Sequence, residues 1–422
     1  MKNFERIVLK NGIRVILVPQ KSSLATTVLV IVEAGSKYEV KQLNGISHFL
    51  EHMCFKGTTR RPNASDIATE LDSLGAQYNA FTTQEFTSYY AKVRNESFDK
   101  ALDLVADMYL DPIFDSKEIE KEKGVITEEI NMYEDLPQRK VNEVFTELLY
   151  GDQPAGWPIT GPKEAVARIT KDDFLKYRAE HYQAQATTFV IAGGFEEKGI
   201  AEKIEKTFAA LSQGKKGTKP KVIEAQSAPA EKIRYKKSDQ THMILGFRAF
   251  DTFDERRYAL EVLADILGGG MSSRLFKKVR DELGAAYYVN AWPDLSSDHG
   301  TIAMTAGVNH EKLETVMKAG LEEFARFKNE RVEAKELRRA KDHLIGNLFL
   351  SLEGSDEIGY YYGSQEAMHK ELQSPEELAQ KIEAVSTEEI QNVAHDLFQN
   401  NGLNFAMIGP SEEKSYRAIL KV

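Results

Sequence analysis

The chain has 422 residues, 42% hydrophobic and 28% charged, with a formal net charge of −10. That length suits two domains rather than one, and the acidic balance argues against nucleic acid as a partner. A single cysteine, Cys54, excludes an intrachain disulfide and fits a reducing compartment.

The opening segment MKNFERIVLKNGIRVILVP carries Glu5 and has no long apolar run, so it does not read as a secretory signal. No stretch reaches the roughly 18 apolar residues of a membrane span. The expectation is a cytoplasmic protein with no membrane partner. The same opening segment alternates apolar and polar residues around Asn11-Gly12, which predicts a hairpin. TTVLVIVEAGS then reads as a buried strand. After a histidine-bearing segment, NASDIATELDSLGAQ predicts a helix capped by Asn63 or Ser65. YNAFTTQEFTSYYAKV alternates like a pair of strands. ESFDKALDLVADMYLDP is an amphipathic helix stopped before Pro112, and a long charged helix follows from Asp115 to Glu134. TTFVIAGGF predicts a further strand.

Residues 213–229 are rich in Gly, Lys and Pro without helical periodicity, which predicts a linker between domains spanning 1–212 and 230–422. Beyond it the plan repeats. HMILGFRAF predicts a strand, ERRYALEVLADILGG and SSRLFKKVRDEL predict helices, and AAYYVNAW and GTIAMTAGV predict strands. Helices follow from Glu311 to Leu397, and LNFAMIG is a closing strand. The expected class is α+β: two similar domains, each a mostly antiparallel sheet packed with helices.

GISHFLEHMCFKGT places His48, Glu51 and His52 within five residues of a chain that has only 9 histidines. On a helix, His48 and His52 share one face and can present two imidazoles to one metal ion, with Glu51 beside it. The order is the reverse of H-E-x-x-H. Zinc suits three protein ligands plus a water whose proton a nearby carboxylate removes. The flanks are apolar, and buried imidazoles with a carboxylate need compensation that a metal supplies.

A third ligand has to come from elsewhere. In DSKEIEKEKGVITEEINMYED, residues Ile119, Ile126, Ile130 and Tyr133 form one helical stripe. Glu122 and Glu129 fall at its edge, two turns apart, whereas Glu128 points to nearly the opposite side. Glu129 as ligand and Glu122 as its outer neighbour is one reason for their placement; a buried-edge ion pair is the other.

These residues resemble the inverted zinc-peptidase family that includes pitrilysin, insulin-degrading enzyme and the mitochondrial processing peptidase. HFLEH, the distant Glu129, LEHMCFKGT, YNAFTTQEFTSYYAKV and LGGGMSSRLFKKVRDELGAAYYV carry the likeness, which spans both halves. The length is similar to that of the shorter branch, with two homologous domains per chain. The resemblance implies one zinc per chain on His48, His52 and Glu129, Glu51 as general base and Glu122 in support. It also implies Arg280 and Tyr287, seven apart in VRDELGAAY, as partners of a substrate carbonyl. Asn79, Ala80 and Phe81 are similar to the edge strand on which family members hold peptides by strand addition. Hydrolysis of unfolded peptides inside a closed chamber, and pairing of two copies as a homodimer, are further implications. GGGM at Gly268–Met271 is shorter than the glycine-rich loop of the processing subunit and is followed by no Gly-Lys-Ser/Thr, so it is not a phosphate loop.

The competing expectation is a non-catalytic scaffold like the core subunits of respiratory complexes. Such proteins lose part of the metal motif, and this chain retains all of it. A metal-dependent hydrolase of a small molecule would leave the edge strand and second domain without a purpose.

Overall fold

A computed structural model describes residues 4–411 and 414–422. The chain forms two compact units. The first comprises Met1–Ile130, Pro158–Pro220 and Phe349–Ser374; the second comprises Asn131–Trp157, Lys221–Leu348 and Pro375–Val422. Relative to the two halves of the sequence, each unit takes in one helical segment from the other half. Among the described residues, no helix is long and apolar enough to cross a membrane.

The first unit is built on a six-stranded sheet. Its strands are β1 (Glu5–Val8), β2 (Arg14–Pro19), β3 (Ala25–Val32), β4 (Gln77–Thr82), β5 (Thr87–Arg94) and β6 (Thr187–Gly193), ordered β1-β2-β6-β3-β5-β4. Only β2 and β6 pair in parallel; the other neighbours are antiparallel. The expected hairpin is present, with Gly12 at φ 96°, a region open chiefly to glycine.

Because β3 and β6 are central, both their faces are buried and both read as continuous apolar runs. Val28, Val30, Phe189 and Ile191 pack towards α1 (Ile46–Met53) and α3 (Phe98–Leu110), whereas Leu29, Ile31, Val190 and Ala192 meet Ile358 and Tyr362 of the helix Ser355–Ala367. That helix lies close to the sheet: a Cβ on Gly363 would stand 2.7 Å from the Ile31 side chain. Polar contacts fix its ends, with Lys92 pairing with Asp356 and Arg6 with Glu366 at 2.7 Å.

α2 (Ala64–Ser73) has Asn63, one of the two candidates, at its N-cap, where Asn63 N and Nδ2 both donate to the Asp66 carboxylate at 3.0 and 2.9 Å. The charged helix is α4 (Ser116–Asp135).

The second unit repeats the plan with β7 (Ala230–Tyr235), β8 (Thr241–Ala249), β9 (Ala286–Leu295), β10 (Gly300–Val308) and β11 (Leu403–Gly409), ordered β7-β11-β8-β10-β9. Again one pair, β7 with β11, is parallel. The correspondence makes β9 the counterpart of β4, each an edge strand. Val141, Val144 and Phe145 of the helix Pro137–Tyr150 cover one face of this sheet against Ile244, Ala303 and Ala406.

SSRLFKKVRDEL departs from an ordinary α-helix. Phe276–Glu282 winds as a π-helix, closed by Leu283 N donating to Lys278 O at 3.1 Å. Such wider turns are rare and often accompany functional residues; this one carries Arg280. Residues 213–229 form neither helix nor strand. Within the first unit, Lys216 of that segment pairs with the buried Glu33 at 2.7 Å.

Candidate functional site

α1 is short, so its position depends on anchors at both ends. Ile46, Phe49, Leu50 and Met53 lie in the core of the first unit and fix one face. Its first turn is held by the buried Glu39, which accepts from Gly45 N at 2.7 Å and from Ser47 N at 2.8 Å. A carboxylate there satisfies two helix-start donors and complements the helix dipole. Gly45 has φ 99°, and a Cβ on it would stand 2.5 Å from Thr160 O. Gly45→Ala should therefore destabilise the protein, by about 1–3 kcal/mol from backbone strain alone. An unchanged thermal midpoint would contradict this anchoring.

With the apolar face committed, His48, Glu51 and His52 share the remaining surface of α1. The two imidazole centroids are 4.6 Å apart. Glu129 of α4 approaches both: its Oε2 is 3.6 Å from His48 Nε2 and 3.7 Å from His52 Nε2. These separations are too long for hydrogen bonds. They approach the edge of about 3.3–3.5 Å that a tetrahedral zinc with N and O ligands near 2.1 Å would impose. Among the described residues, this trio is the only cluster of His, Cys, Asp or Glu arranged to hold a metal ion. Burial and the neighbouring His52 push the His48 imidazolium down to about 3, so the ring is neutral and its Nε2 can offer a lone pair. Donor chemistry and spacing thus fit zinc.

Glu122, one heptad before Glu129, is more deeply buried. Its Oε1 lies 2.8 Å from His52 Nδ1 and its Oε2 lies 2.7 Å from Lys56 Nζ. Accepting from Nδ1–H, it fixes the tautomer that leaves His52 Nε2 open. Glu128 is exposed. Cys54 lies near in sequence yet is fully buried, with its Sγ against Tyr89 and its thiol pushed up to about 11 by burial. It is unavailable as a ligand.

Glu51 stands outside the trio. It is 9% exposed and accepts a hydrogen bond from Thr82 Oγ1. Burial raises its carboxyl to about 7, with Thr82 and His52 opposing and Glu129 adding to the rise.

Thr82 ends β4, and the turn after it is clamped. Ser36 N donates to Thr83 O at 3.1 Å and Lys37 N to Gln84 O at 2.9 Å. The clamp requires Gly35, where a Cβ would stand 2.3 Å from Thr83 O. Asn79, Ala80 and Phe81 lie on β4, the terminal strand of the sheet, which among the described residues pairs with β5 alone.

Arg280 and Tyr287 lie in the second unit and are brought together there. The Arg280 guanidinium donates to Tyr287 O at 2.9 Å and sits 5.9 Å from its ring centroid. Tyr287 is 74% exposed. The helix in the second unit that corresponds to α1, Arg257–Gly268, contains no histidine.

Sequence reasoning missed Lys56, Thr82 and Glu39. Lys56 follows His52 by four residues, a spacing that could have found it even though it lies past the end of α1. Thr82 and Glu39 carry no comparable signal, since their partners are set by tertiary packing.

Residues 14–163 match the family described as Insulinase (Peptidase family M16), and residues 168–344 match the Peptidase M16 inactive domain. An uncharacterized zinc protease of Rickettsia felis is 37% identical, over 98% of this chain and 100% of that protein. The uncharacterized zinc protease YmxG of Bacillus subtilis is 35% identical, over 96% of this chain and 98% of its own length. Among solved structures, a protease from Helicobacter pylori superposes with a TM-score of 0.89 at 23% identity, covering 96% of this chain and 99% of that one. With relatives matched over almost their whole length and both halves covered, the chain belongs to peptidase family M16.

Proposed function

We propose that this protein is a zinc-dependent endopeptidase acting on unfolded peptides or small polypeptides. The observation that carries the reading is the convergence of His48 Nε2, His52 Nε2 and Glu129 Oε2 beside a buried carboxylate, Glu51, that is not one of the trio. The relatives named zinc proteases support it.

His48, His52 and Glu129 would hold one zinc ion. When bound, zinc polarises a peptide carbonyl and makes a water molecule more acidic. Glu51 accepts the proton of the attacking water and returns it to the leaving amine. Glu122 holds His52 in the required tautomer. The outer edge of β4 around Asn79, Ala80 and Phe81 adds the substrate as a further strand, so affinity comes from main-chain hydrogen bonds rather than strict sequence readout. The family resemblance gives Arg280 and Tyr287 of the second unit the role of hydrogen-bond donors to a substrate carbonyl.

Digesting a random peptide mixture with and without a chelator, read by mass spectrometry alongside metal analysis, tests the proposal. Cleavage that depends on one equivalent of zinc is expected. A zinc-loaded protein that cleaves nothing would overturn it in favour of a scaffold.

Thr82 offers a finer test. Its hydroxyl donates to the base, and a hydrogen bond to a charged group is worth about 1.5–3 kcal/mol. Thr82→Val should lower kcat roughly tenfold or more with KM little changed, and Thr82→Ser should retain most of the rate. Equal rates for the valine and serine variants would remove Thr82 from the mechanism.

A further inference from the structure

The Glu122 carboxylate is shared between two side chains of a single short segment. His52 lies in α1, and Lys56 follows after the helix has ended at Met53. Phe55 N donates to His52 O and Lys56 N to Met53 O, both at 3.1 Å, so the chain keeps turning and returns the lysine to the same side. His52 Nδ1 takes one oxygen of Glu122 at 2.8 Å, and Lys56 Nζ takes the other at 2.7 Å. The Glu122 side chain is 4% exposed and that of Lys56 26%.

We propose that Lys56 is a positioning residue for the metal centre, acting through Glu122 on His52. The inference rests on the zinc-peptidase reading and goes beyond it by adding a third tier to the site. A buried carboxylate holding one imidazole has a free torsion and one oxygen left to satisfy. The ammonium fixes that torsion, satisfies the second oxygen and balances the charge beside the histidine. His52 Nδ1–H then meets a fixed acceptor, and its Nε2 stays aimed towards His48 and Glu129. When the ammonium is lost, the Glu122 carboxylate keeps His52 Nδ1–H as a partner, so the fold should suffer less than the geometry of the histidine. Its effect should fall on the metal.

The test measures zinc affinity of the full-length protein by competition with a chromophoric chelator, using wild type, Lys56→Met, Lys56→Arg, Glu122→Gln and the Lys56→Met/Glu122→Gln double variant. Thermal melting of each metal-free form accompanies it. Outer neighbours of metal ligands are typically worth about 10–100-fold in metal affinity. Lys56→Met should weaken zinc binding by about tenfold and Glu122→Gln by at least as much, placing both in that range. Lys56→Arg, which keeps the cation, should restore most of the loss. The double variant should bind no more weakly than Glu122→Gln alone, because the lysine works through that carboxylate.

Unchanged affinity in Lys56→Met overturns the proposal, as does a double variant whose losses add. A Lys56→Met protein whose metal-free form melts far below wild type assigns the lysine to the fold and also overturns it. A wild type that binds no zinc tightly is a different result, since it removes the peptidase reading itself.

Discussion

Glu51→Gln should leave one zinc per chain and lower kcat by at least the roughly 10²–10⁴-fold that a positioned general base supplies. The amide keeps the size of the side chain and an oxygen for the Thr82 hydroxyl, so α1 and β4 keep their contact. What it loses is the capacity to take a proton. Glu51 is not among the three converging donors, so zinc content should not follow activity. Substantial turnover in this variant would contradict the assignment of the base.

The same substitution has a second consequence that needs no substrate. Burial raises the folded-state carboxyl of metal-free Glu51 from 4.5 to about 7. The folded protein then binds this proton more tightly than the unfolded chain, so stability is greatest below the unfolded pKa and declines as pH rises from about 4.5 to 7. Glutamine abolishes the decline. Metal-free Glu51→Gln should therefore melt above metal-free wild type at pH 8, with the gap closing in acid. A bound cation would lower the carboxyl, so wild-type activity should rise with pH along an acid limb lying at or below about pH 7.

The parts of the site legible in the sequence are those written in short periods. His48, Glu51 and His52 were readable because one turn of helix forces them together. Glu122 and Glu129 were readable because the isoleucine stripe of α4 puts them at its margin. The stripe could not distinguish their roles. Only the structure separates a deeply buried Glu122 bonded to His52 from a half-buried Glu129 facing both rings.

The sheets were readable too, through alternation in β4 and β5 and continuous apolar runs in β3 and β6. The exchange of helices was not. Pro137–Tyr150 has a clear amphipathic stripe, yet periodicity tells that a face is buried without telling which sheet buries it. Ser355–Ala367 is harder still, because it meets its sheet through Ile358, Gly359, Tyr362 and Gly363 rather than an aliphatic stripe. The wider winding of Phe276–Glu282 also escapes a reading tuned to 3.6 residues per turn, as it shows only in the hydrogen bond from Leu283 to Lys278.

Glu129→Gln and Glu128→Gln separate the metal proposal from a general effect of charge on α4. The two glutamates are adjacent, on the same helix, and each substitution removes one negative charge. Glu128 is exposed, and its loss should leave zinc affinity unchanged within a factor of about 2–3, since long-range interaction at the surface is largely screened. Glu129 has an oxygen 3.6 and 3.7 Å from the two imidazole nitrogens. Replacing it leaves a two-imidazole site with a neutral amide as its third donor, and affinity should fall by more than the roughly 10–100-fold typical of outer neighbours. The metal-free forms of both variants should melt close to wild type. If the ion were held by the histidines alone, or by a carboxylate elsewhere, the two variants would bind zinc equally. Equal metal content would therefore remove Glu129 from the ligand set and leave Glu51 without a centre to serve.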